Sequence, residues 1–236
     1  DHAIKHKSKI IYLSTSRVYS IKKINIFIKK KNYKKNFTIR KKINENFTTS
    51  DVRSIYGSTK LFSEELIKEY SYLFNLKFII NRCGVISGPW QFGKQEQGLF
   101  SFWVKKHILK KNLKYIGYGG YGNQVRDVLH IDDFNNLILK QIKNLNIINN
   151  VVLNVGGGSK NKISLLNLTK ACEKLTNNIC KKTKKRKTSN YDIPYYVTDN
   201  KKVTNFYNWT PKKSVNTLLE DLYIWMMNNK KLINRF

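Results

Sequence analysis

Two side chains that could move a proton stand four residues apart in the segment YGSTK, which contains Tyr56 and Lys60. On a helix this spacing places both side chains on one face, about one turn apart. A phenol is protonated at neutral pH, and an ammonium group held beside it favours the phenolate. The phenolate can then take a proton from a hydroxyl group while hydride leaves the same carbon. The pair alone is a weak signal, because many helices contain this spacing by chance.

A second group of polar side chains follows the apolar run KIIYLS, which has the length and composition of a buried parallel strand. Ser14, Thr15 and Ser16 would lie at the carboxyl end of that strand, where open α/β sheets place their sites. Thr15 taken alone would be a turn residue that bonds to local backbone. Tyr56 and Lys60 downstream favour a catalytic role for its hydroxyl group instead.

Strands and helices alternate along the rest of the chain, which predicts an α/β fold with a parallel sheet. The predicted strands are Lys9 to Ser14, Leu76 to Arg82, 113–116 and Val151 to Val155, and the predicted helices are Gly57 to Phe74, Gly98 to Lys111, one after an N-cap at Asp132, one opened by Ser164, and about Val215 to Met227. The segment Lys22 to Asn46 is polar, basic and without a regular pattern, so it is predicted to be a long surface loop.

Taken in order, these stretches resemble the extended short-chain dehydrogenase/reductase family, and in particular its NAD-dependent nucleotide-sugar epimerases, along essentially the whole chain. In that family a strand ends S-[ST]-x-x-V-Y, as STSRVY does here, and its Ser or Thr joins a Tyr and a Lys in a catalytic triad. The resemblance places this triad on Thr15, Tyr56 and Lys60. The segment RCGVISGPWQ (Arg82 to Gln91) is similar to the family's R-C-x-x-x-x-G-P strand.

Two further segments, EQGLFSFW (Glu96 to Trp103) and GNQVRDVLH (Gly122 to His130), are similar to motifs of the family's CDP-sugar 2-epimerase branch. The closing DNKKVTNFYNWTPKKS resembles the usual C-terminal signature of the whole family. The family's 4,6-dehydratases carry an acidic residue in one or both of the two places after the triad Thr, where this chain has Ser16 and Arg17. The resemblance therefore implies epimerisation of a nucleotide-diphosphate sugar through a transient keto-sugar, with a CDP-hexose favoured. A dehydratase and a 4-epimerase are the alternatives within the family.

The resemblance also implies a fold and a set of site residues. The fold would be a partial Rossmann-like parallel sheet, the C-terminal part of an extended short-chain dehydrogenase, with a smaller substrate-binding α/β region. Residues 1–84 would belong to the NAD-binding domain and 85–236 mainly to the substrate-binding region, with 128–156 returning to the first domain. The implied ligand contacts are Tyr56, Lys60 and Cys83 for NAD, and Gln97, Gln124 and Arg126 for the substrate.

The segment YIGYGGYG has the G-x-G-x-x-G spacing of a dinucleotide-binding turn in Gly117, Gly119 and Gly122. Such a turn needs a strand before it and a helix directly after it, but the following NQVRDVLH has no helical apolar periodicity. We therefore expect a turn on the substrate side, followed by Gln124 and Arg126. The family's own glycine loop lies near the N-terminus, before the catalytic strand. The resemblance thus implies that these residues are the C-terminal part of an epimerase.

The chain carries 45 Lys and Arg against 15 Asp and Glu, a net charge of +30. The run KKTKKRK (Lys181 to Lys187) resembles a nucleic-acid patch, and other runs lie at Lys29 to Lys31 and Arg40 to Lys42. Because Lys, Asn and Ile are abundant throughout, a coding bias explains the charge better than nucleic-acid binding does. The rival hypothesis is a non-catalytic, basic binding module derived from a truncated epimerase.

Other features favour unremarkable roles. Three cysteines without a C-x-x-C pair (Cys83, Cys172 and Cys180) predict reduced thiols and neither a disulfide framework nor a zinc site. No apolar run approaches the roughly 18 residues of a membrane helix, so a cytoplasmic protein without a membrane partner is expected. Asp132 and Asp133 are interpreted as a helix cap rather than metal ligands, and His130 as a structural hydrogen-bonding residue. Assembly into a homo-oligomer stays open.

Overall fold

The fold is described from a computed structural model, which covers residues 1–28, 37–39, 43–94 and 97–233. Strands and helices alternate along the described chain, which confirms the predicted α/β class. The strands are β1 (Ile10–Thr15), β2 (Phe78–Cys83), β3 (Val85–Ser87), β4 (Leu113–Ile116), β5 (Val125–His130), β6 (Val151–Val155), β7 (Lys162–Ser164), β8 (Lys182–Lys185) and β9 (Tyr195–Tyr196). The helices are α1 (His2–Lys5), α2 (Ile21–Phe27), α3 (Ile55–Phe74), α4 (Leu99–Ile108), α5 (Ile131–Asn144), α6 (Leu165–Thr176), α7 (Lys201–Tyr207), α8 (Val215–Asn228) and α9 (Lys230–Ile233).

A parallel sheet of three strands, in the order β1-β2-β6, carries the residues of the predicted triad strand. All six residues of β2 are buried, as expected for a parallel strand covered on both faces. The register pairs Thr15 with Cys83 and Cys83 with Val155. The carboxyl ends of the three strands therefore lie side by side at one edge of the sheet.

Helix α3 is fixed against this edge at its first turn. Its N-cap Ser54 accepts a hydrogen bond from the Gly57 N–H (3.0 Å), which satisfies one of the free donors at a helix start. A side chain at Gly57 would collide with the backbone carbonyl of Arg17, in the turn after β1. The close approach that glycine permits holds Tyr56 and Lys60 beside the end of β1.

A second set of strands is organised around β5. It pairs in parallel with β3 through Val128 to His130, antiparallel with β7 through Val125 to Asp127, and in parallel with β9. Strands β4 and β8 form a separate parallel pair. A large apolar cluster lies among α4, α6 and α8 and includes Phe100, Trp103, Leu168, Leu222 and Met226. The division into residues 1–84 and 85–236 stays a prediction.

Another apolar cluster joins the first sheet to the helices that cover it. Leu129, at the end of β5, packs there with Leu137 of α5, Leu153 of β6 and Val203 of α7. Segments distant in sequence therefore share one core with the sheet that ends in Thr15. Among the described residues, no helix is long and apolar enough to cross a membrane.

Two expectations about local structure are wrong. The segment from Lys22 to Asn46 was expected to be a surface loop, but α2 covers its start, and Ile24, Phe37 and Ile43 are buried in a cluster of their own. The polar composition hid these few apolar residues, which pack against chain distant in sequence. The lysine runs at Lys29 to Lys31 and Arg40 to Lys42 lie outside the described residues.

The second wrong expectation concerns the start of α5. The helix begins at Ile131, and its N-cap is His130, whose Nδ1 accepts a hydrogen bond from the Asp132 N–H (3.0 Å). The His130 imidazole nitrogen therefore caps the helix, which is the role predicted for the Asp132 carboxylate. Asp133 instead accepts hydrogen bonds from the N–H groups of Lys212 and Lys213.

Candidate active site

Thr15 lies at the carboxyl end of β1 and is buried. Its Oγ1 accepts a hydrogen bond from the Arg17 N–H (3.2 Å), so the hydroxyl group caps the turn that follows the strand. This bond is the local role considered for Thr15 taken alone. It orients Oγ1 without using the hydroxyl proton, which remains a donor for a further acceptor.

Lys60 reaches across from α3 to the exposed edge of β1. Its Nζ donates a hydrogen bond to the Leu13 carbonyl oxygen (2.9 Å) and lies 4.9 Å from the centre of the Tyr12 ring. The Ile10 N–H donates to the Lys77 carbonyl oxygen, just before β2, so alternation along the strand turns the Leu13 carbonyl to the opposite edge. The ammonium group is therefore bonded to the backbone of β1 two residues before Thr15.

Cys83 lies directly opposite Thr15 on β2. Burial raises the pKa of its thiol to about 12, and the nearby Lys60 charge opposes that rise only in part. The thiol is thus neutral at physiological pH, and its Sγ donates to the Asn81 carbonyl oxygen (3.4 Å). Cys83 is a small buried group beside the site rather than a nucleophile.

Tyr56 stands in the first turn of α3 and is 55% exposed. Its neighbour Gly57 touches the Arg17 backbone, which in turn is bonded to Thr15. The three predicted catalytic residues therefore belong to adjoining elements at one edge of the sheet. An exposed phenol in this place is accessible to the hydroxyl group of a ligand.

A buried ionic network, which the sequence patterns do not predict, lies behind these residues. The Arg82 guanidinium group binds the fully buried Glu64 carboxylate, with an Nη2–Oε2 distance of 2.7 Å, and Ser14 Oγ donates to the same carboxylate. Arg82 also donates to Tyr19 Oη (3.3 Å), which donates to Asn154 Oδ1 (2.7 Å). Glu64 follows Lys60 by one turn of α3, but no spacing in the sequence links it to Arg82 on β2.

The predicted substrate residues lie in two places. Arg126, on β5, donates from Nη2 to Asp192 Oδ1 (3.0 Å) and to the Ile193 carbonyl oxygen (2.6 Å). Gln124 donates from Nε2 to the Ile116 carbonyl oxygen (3.1 Å), which fixes its side chain to the end of β4. Gln97 is exposed just before α4, while Glu96 lies outside the described residues.

The glycine segment before β5 is a turn. Gly117, Gly119, Gly120 and Gly122 all have positive φ angles, between 72° and 78°, which glycine adopts without strain. The chain then enters β5 and not a helix, so this segment lacks the helix N-terminus that binds a pyrophosphate. The interpretation of this G-x-G-x-x-G string as a turn follows from its geometry.

A cluster of His130, Asp132 and Asp221 has ligand atoms close enough for a metal ion. Lys213 Nζ lies between the two carboxylates, at 2.8 Å from an oxygen of each, and supplies the positive charge there. His130 Nε2 lies 3.1 Å from Asp221 Oδ2. Burial lowers the pKa of His130, with a further decrease from Lys213, so the imidazole is neutral near pH 7. These groups join β5, α5 and α8 as a structural contact.

The residues at the edge of the first sheet fit the nicotinamide end of NAD. Tyr56 offers an exposed phenol, and the Lys60 ammonium group lies at the carboxyl end of β1, close to Thr15 and Cys83. The pyrophosphate end requires backbone N–H groups at a helix start. The glycines from Gly156 to Gly158 lead into a short 3-10 turn and β7, so they do not provide that feature.

Comparisons with known proteins identify sequence relatives. A profile of the NAD dependent epimerase/dehydratase family matches residues 1–156. CDP-paratose 2-epimerase of Salmonella typhi is 31% identical over 225 residues, which cover 92% of this chain and 64% of that protein. A putative UDP-glucose 4-epimerase of Methanocaldococcus jannaschii is 28% identical over 75% of this chain and 55% of that protein.

Solved structures give the same picture of the fold. UDP-glucuronic acid 4-epimerase from Bacillus cereus, in complex with NAD, has a TM-score of 0.74 and 25% identity, covering 96% of this chain and 62% of that one. UDP-glucose 4-epimerase from Thermotoga maritima, with UDP-glucose, has a TM-score of 0.79 and 20% identity over 97% of this chain and 66% of that one, a likeness of fold alone. The chain spans less than two thirds of the length of the curated relatives described above.

Proposed function

The chain belongs to the NAD dependent epimerase/dehydratase family, and from that premise we propose that it is the catalytic and substrate-binding part of an epimerase acting on a nucleotide-diphosphate sugar. One observation carries the proposal. Lys60, from α3, is bonded to Leu13 at the carboxyl end of β1, beside Thr15 and Cys83. A cation and a hydroxyl group held together at one edge of a parallel sheet support a site for proton transfer there.

The chain's own residues have distinct roles in this reaction. Tyr56 takes the proton from a hydroxyl group of the sugar, and Thr15 donates a hydrogen bond to the reacting oxygen. Lys60 would hold the ribose next to the nicotinamide, since its ammonium group lies at the carboxyl end of β1. The chemistry that NAD would supply when bound is acceptance of hydride from the sugar carbon and its return. The keto-sugar turns over in the site before Tyr56 gives its proton back, which inverts the carbon.

Epimerisation is favoured over dehydration by the residues after Thr15. Loss of water from a sugar requires a group that protonates the departing hydroxyl. Ser16 follows Thr15 directly and is a weak acid, and the next residue, Arg17, stays protonated at physiological pH. A dehydratase built on this strand would lack its general acid there.

Among epimerases, we favour a CDP-linked hexose and inversion at C2. The motifs GNQVRDVLH and EQGLFSFW and the similarity to CDP-paratose 2-epimerase support this substrate. The similarity to a putative UDP-glucose 4-epimerase makes UDP-hexose 4-epimerisation the second candidate. The two differ in the nucleotide and in the carbon that inverts, so product analysis separates them.

The test uses the chain joined to the N-terminal third of the Salmonella typhi relative, because the chain spans 64% of that protein. With NAD present, CDP-paratose and UDP-glucose are each supplied, and NMR identifies the carbon that inverts. We expect inversion of the CDP-hexose without net oxidation, and none in a Lys60→Met variant. Dehydration products, or turnover that persists in Lys60→Met, would contradict the mechanism.

The net charge of +30 motivates the rival function, a non-catalytic module that binds polyanions. Such a module would bind a generic oligonucleotide with an affinity that falls steeply with salt, and it would not distinguish CDP from inorganic phosphate. Calorimetry with the oligonucleotide and with CDP, at low and at moderate salt, decides between the epimerase and the polyanion-binding module. Oligonucleotide binding without CDP binding would favour the module.

A further inference from the structure

Two arginines from distant parts of the chain meet on one short segment. Arg17, in the turn after β1, donates from Nη1 to the Tyr191 carbonyl oxygen (3.2 Å). Arg126, on β5, donates from Nη2 to Asp192 Oδ1 (3.0 Å) and to the Ile193 carbonyl oxygen (2.6 Å). Because their acceptors are three consecutive residues, the two guanidinium groups are neighbours.

Among the residues that the structure describes, the positive charge at this meeting point is only partly balanced. Two guanidinium groups face the single Asp192 carboxylate, whose Oδ1 also accepts from the Ile193 N–H (2.9 Å). Burial lowers the pKa of Arg17, and the charge of Arg126 lowers it further, against the opposing effect of Asp192. Two partly buried cations with one anion have a free-energy cost that a bound anion would remove.

The two arginines also lie between the reaction end of the site and the side predicted for the rest of the substrate. The backbone of Arg17 is bonded to Thr15 Oγ1, which places this arginine at the reaction end of the site. Arg126 follows the glycine turn that ends at Gly122, on the side predicted for the substrate. A phosphate group bound by Arg17 and Arg126 would therefore be close to a sugar whose hydroxyl group reaches Thr15.

We propose that Arg17, together with Arg126, binds the diphosphate of the nucleotide sugar. This inference rests on the proposed function and assigns a ligand to Arg17, which stands where the family's dehydratases can carry an acidic residue. A guanidinium group keeps its charge and offers several N–H donors to a phosphate group, and two such groups suit the two phosphates of a diphosphate. Asp192 and the carbonyl groups of Tyr191 and Ile193 hold the forks in place before the ligand arrives.

The test is calorimetry on the chain itself with CDP, CMP, cytidine and inorganic pyrophosphate. Arg17→Gln removes the charge and the fork, and Arg17→Lys keeps the charge but loses the fork. Arg53→Gln is the matched control, because Arg53 lies nearby and donates to the Val18 carbonyl oxygen. We expect Arg17→Gln to weaken CDP binding by about 10-fold or more, which is what one charged hydrogen bond is worth.

The variants and ligands should separate in a defined way. Arg17→Lys should fall between the parent chain and Arg17→Gln, while Arg53→Gln should bind CDP as the parent does. Cytidine, without phosphate, should respond to none of these changes. The dependence of CDP affinity on salt should be less steep in Arg17→Gln, since one cation fewer faces the ligand. If Arg17→Gln fails to fold, Arg17→Lys decides the question.

Failure of this inference and failure of the proposed function give different results. If the parent binds CDP and Arg17→Gln binds it equally well, Arg17 is not a phosphate ligand, and the epimerase proposal stands. If the parent binds pyrophosphate through Arg17 but does not prefer CDP to it, the two-arginine site is supported and the nucleotide-sugar assignment is refuted. If the parent binds neither ligand, both are overturned.

Discussion

The carboxylate of Glu64 and the guanidinium group of Arg82 are joined at 2.7 Å in the interior of the protein, where Glu64 is fully buried. Burial opposes the charge on Arg82, but its hydrogen bonds and electrostatic interactions with Glu64 and Tyr19 together outweigh this effect and raise its pKa. Arg82 adjoins Cys83 on β2, and Glu64 lies one turn after Lys60 on α3. The pair therefore fixes the catalytic helix to the sheet.

Replacing Glu64 with Gln should strongly destabilise the protein. The change leaves the Arg82 charge buried without its partner, and loss of one member of a buried ion pair costs about 3–5 kcal/mol. Urea denaturation measures the free energy of unfolding. The matched control is Glu65→Gln on the same helix, which removes an exposed bond to Lys68. That surface pair should contribute less than about 0.5 kcal/mol. Equal decreases in the free energy of unfolding for the two variants would mean that the buried pair contributes no more to stability than the surface pair.

The elements that hold the candidate site were predictable from local patterns, while the catalytic roles of its residues stay a prediction that rests on the family resemblance. Tyr56 and Lys60 are four residues apart, and Thr15 ends an apolar run, so each signal lies within a single element. The strand and helix that hold them were predicted within two residues of their observed ends. Periodicity identifies elements well when one element carries the whole signal.

Contacts between elements could not be predicted in this way. Arg82 meets Glu64 across 18 residues of sequence, and Arg17 lies beside Tyr191 across 174. Neither contact has a spacing rule, because each depends on how strands and helices pack in three dimensions. The burial of Phe37 could not be predicted from the sequence either, because the residues that pack against it lie elsewhere in the chain.

Residues 1–236 alone should not retain NAD. The glycine-rich segments of the described chain enter β5 and a 3-10 turn, so neither presents helix N–H groups to a pyrophosphate. Titration calorimetry with NAD should show no binding at micromolar concentrations. Joining the N-terminal third of the Salmonella typhi relative should restore it. Micromolar binding of NAD by the chain alone would show that residues 1–236 contain a pyrophosphate site other than a glycine loop at a helix start.

His130 should make stability depend on pH in the acidic range. Its Nδ1 accepts the Asp132 N–H only while unprotonated, and burial lowers its pKa, with Lys213 adding to the decrease against Asp132 and Asp221. The unfolded chain, with a His pKa of about 6.5, therefore binds the proton first as pH falls. The stability that His130 contributes is complete above pH 6.5 and is lost as pH falls toward the folded pKa.

The measurement compares the parent with His130→Asn, whose amide can still cap α5. Urea denaturation is repeated between pH 7.5 and pH 5 for both proteins. Other buried titrating groups, including His107 and Asp127, are common to both and cancel in the difference. The parent should lose more stability on acidification than the variant. Parallel curves would show that His130 is not the group that titrates.

Tyr56→Phe tests the proposed proton transfer most directly, in the chain completed with the N-terminal third of its relative. The change keeps the ring but removes the hydroxyl group, so kcat should fall by about 10²- to 10⁴-fold, the usual effect of a positioned acid or base. KM should change little, because the phenol acts mainly when the proton moves. Tyr72→Phe is the control, since Tyr72 is 87% exposed on the same helix and should leave kcat unchanged. Because Arg17→Gln should raise KM instead, a near-normal kcat in Tyr56→Phe would assign the proton to another residue while leaving the family and the diphosphate site intact.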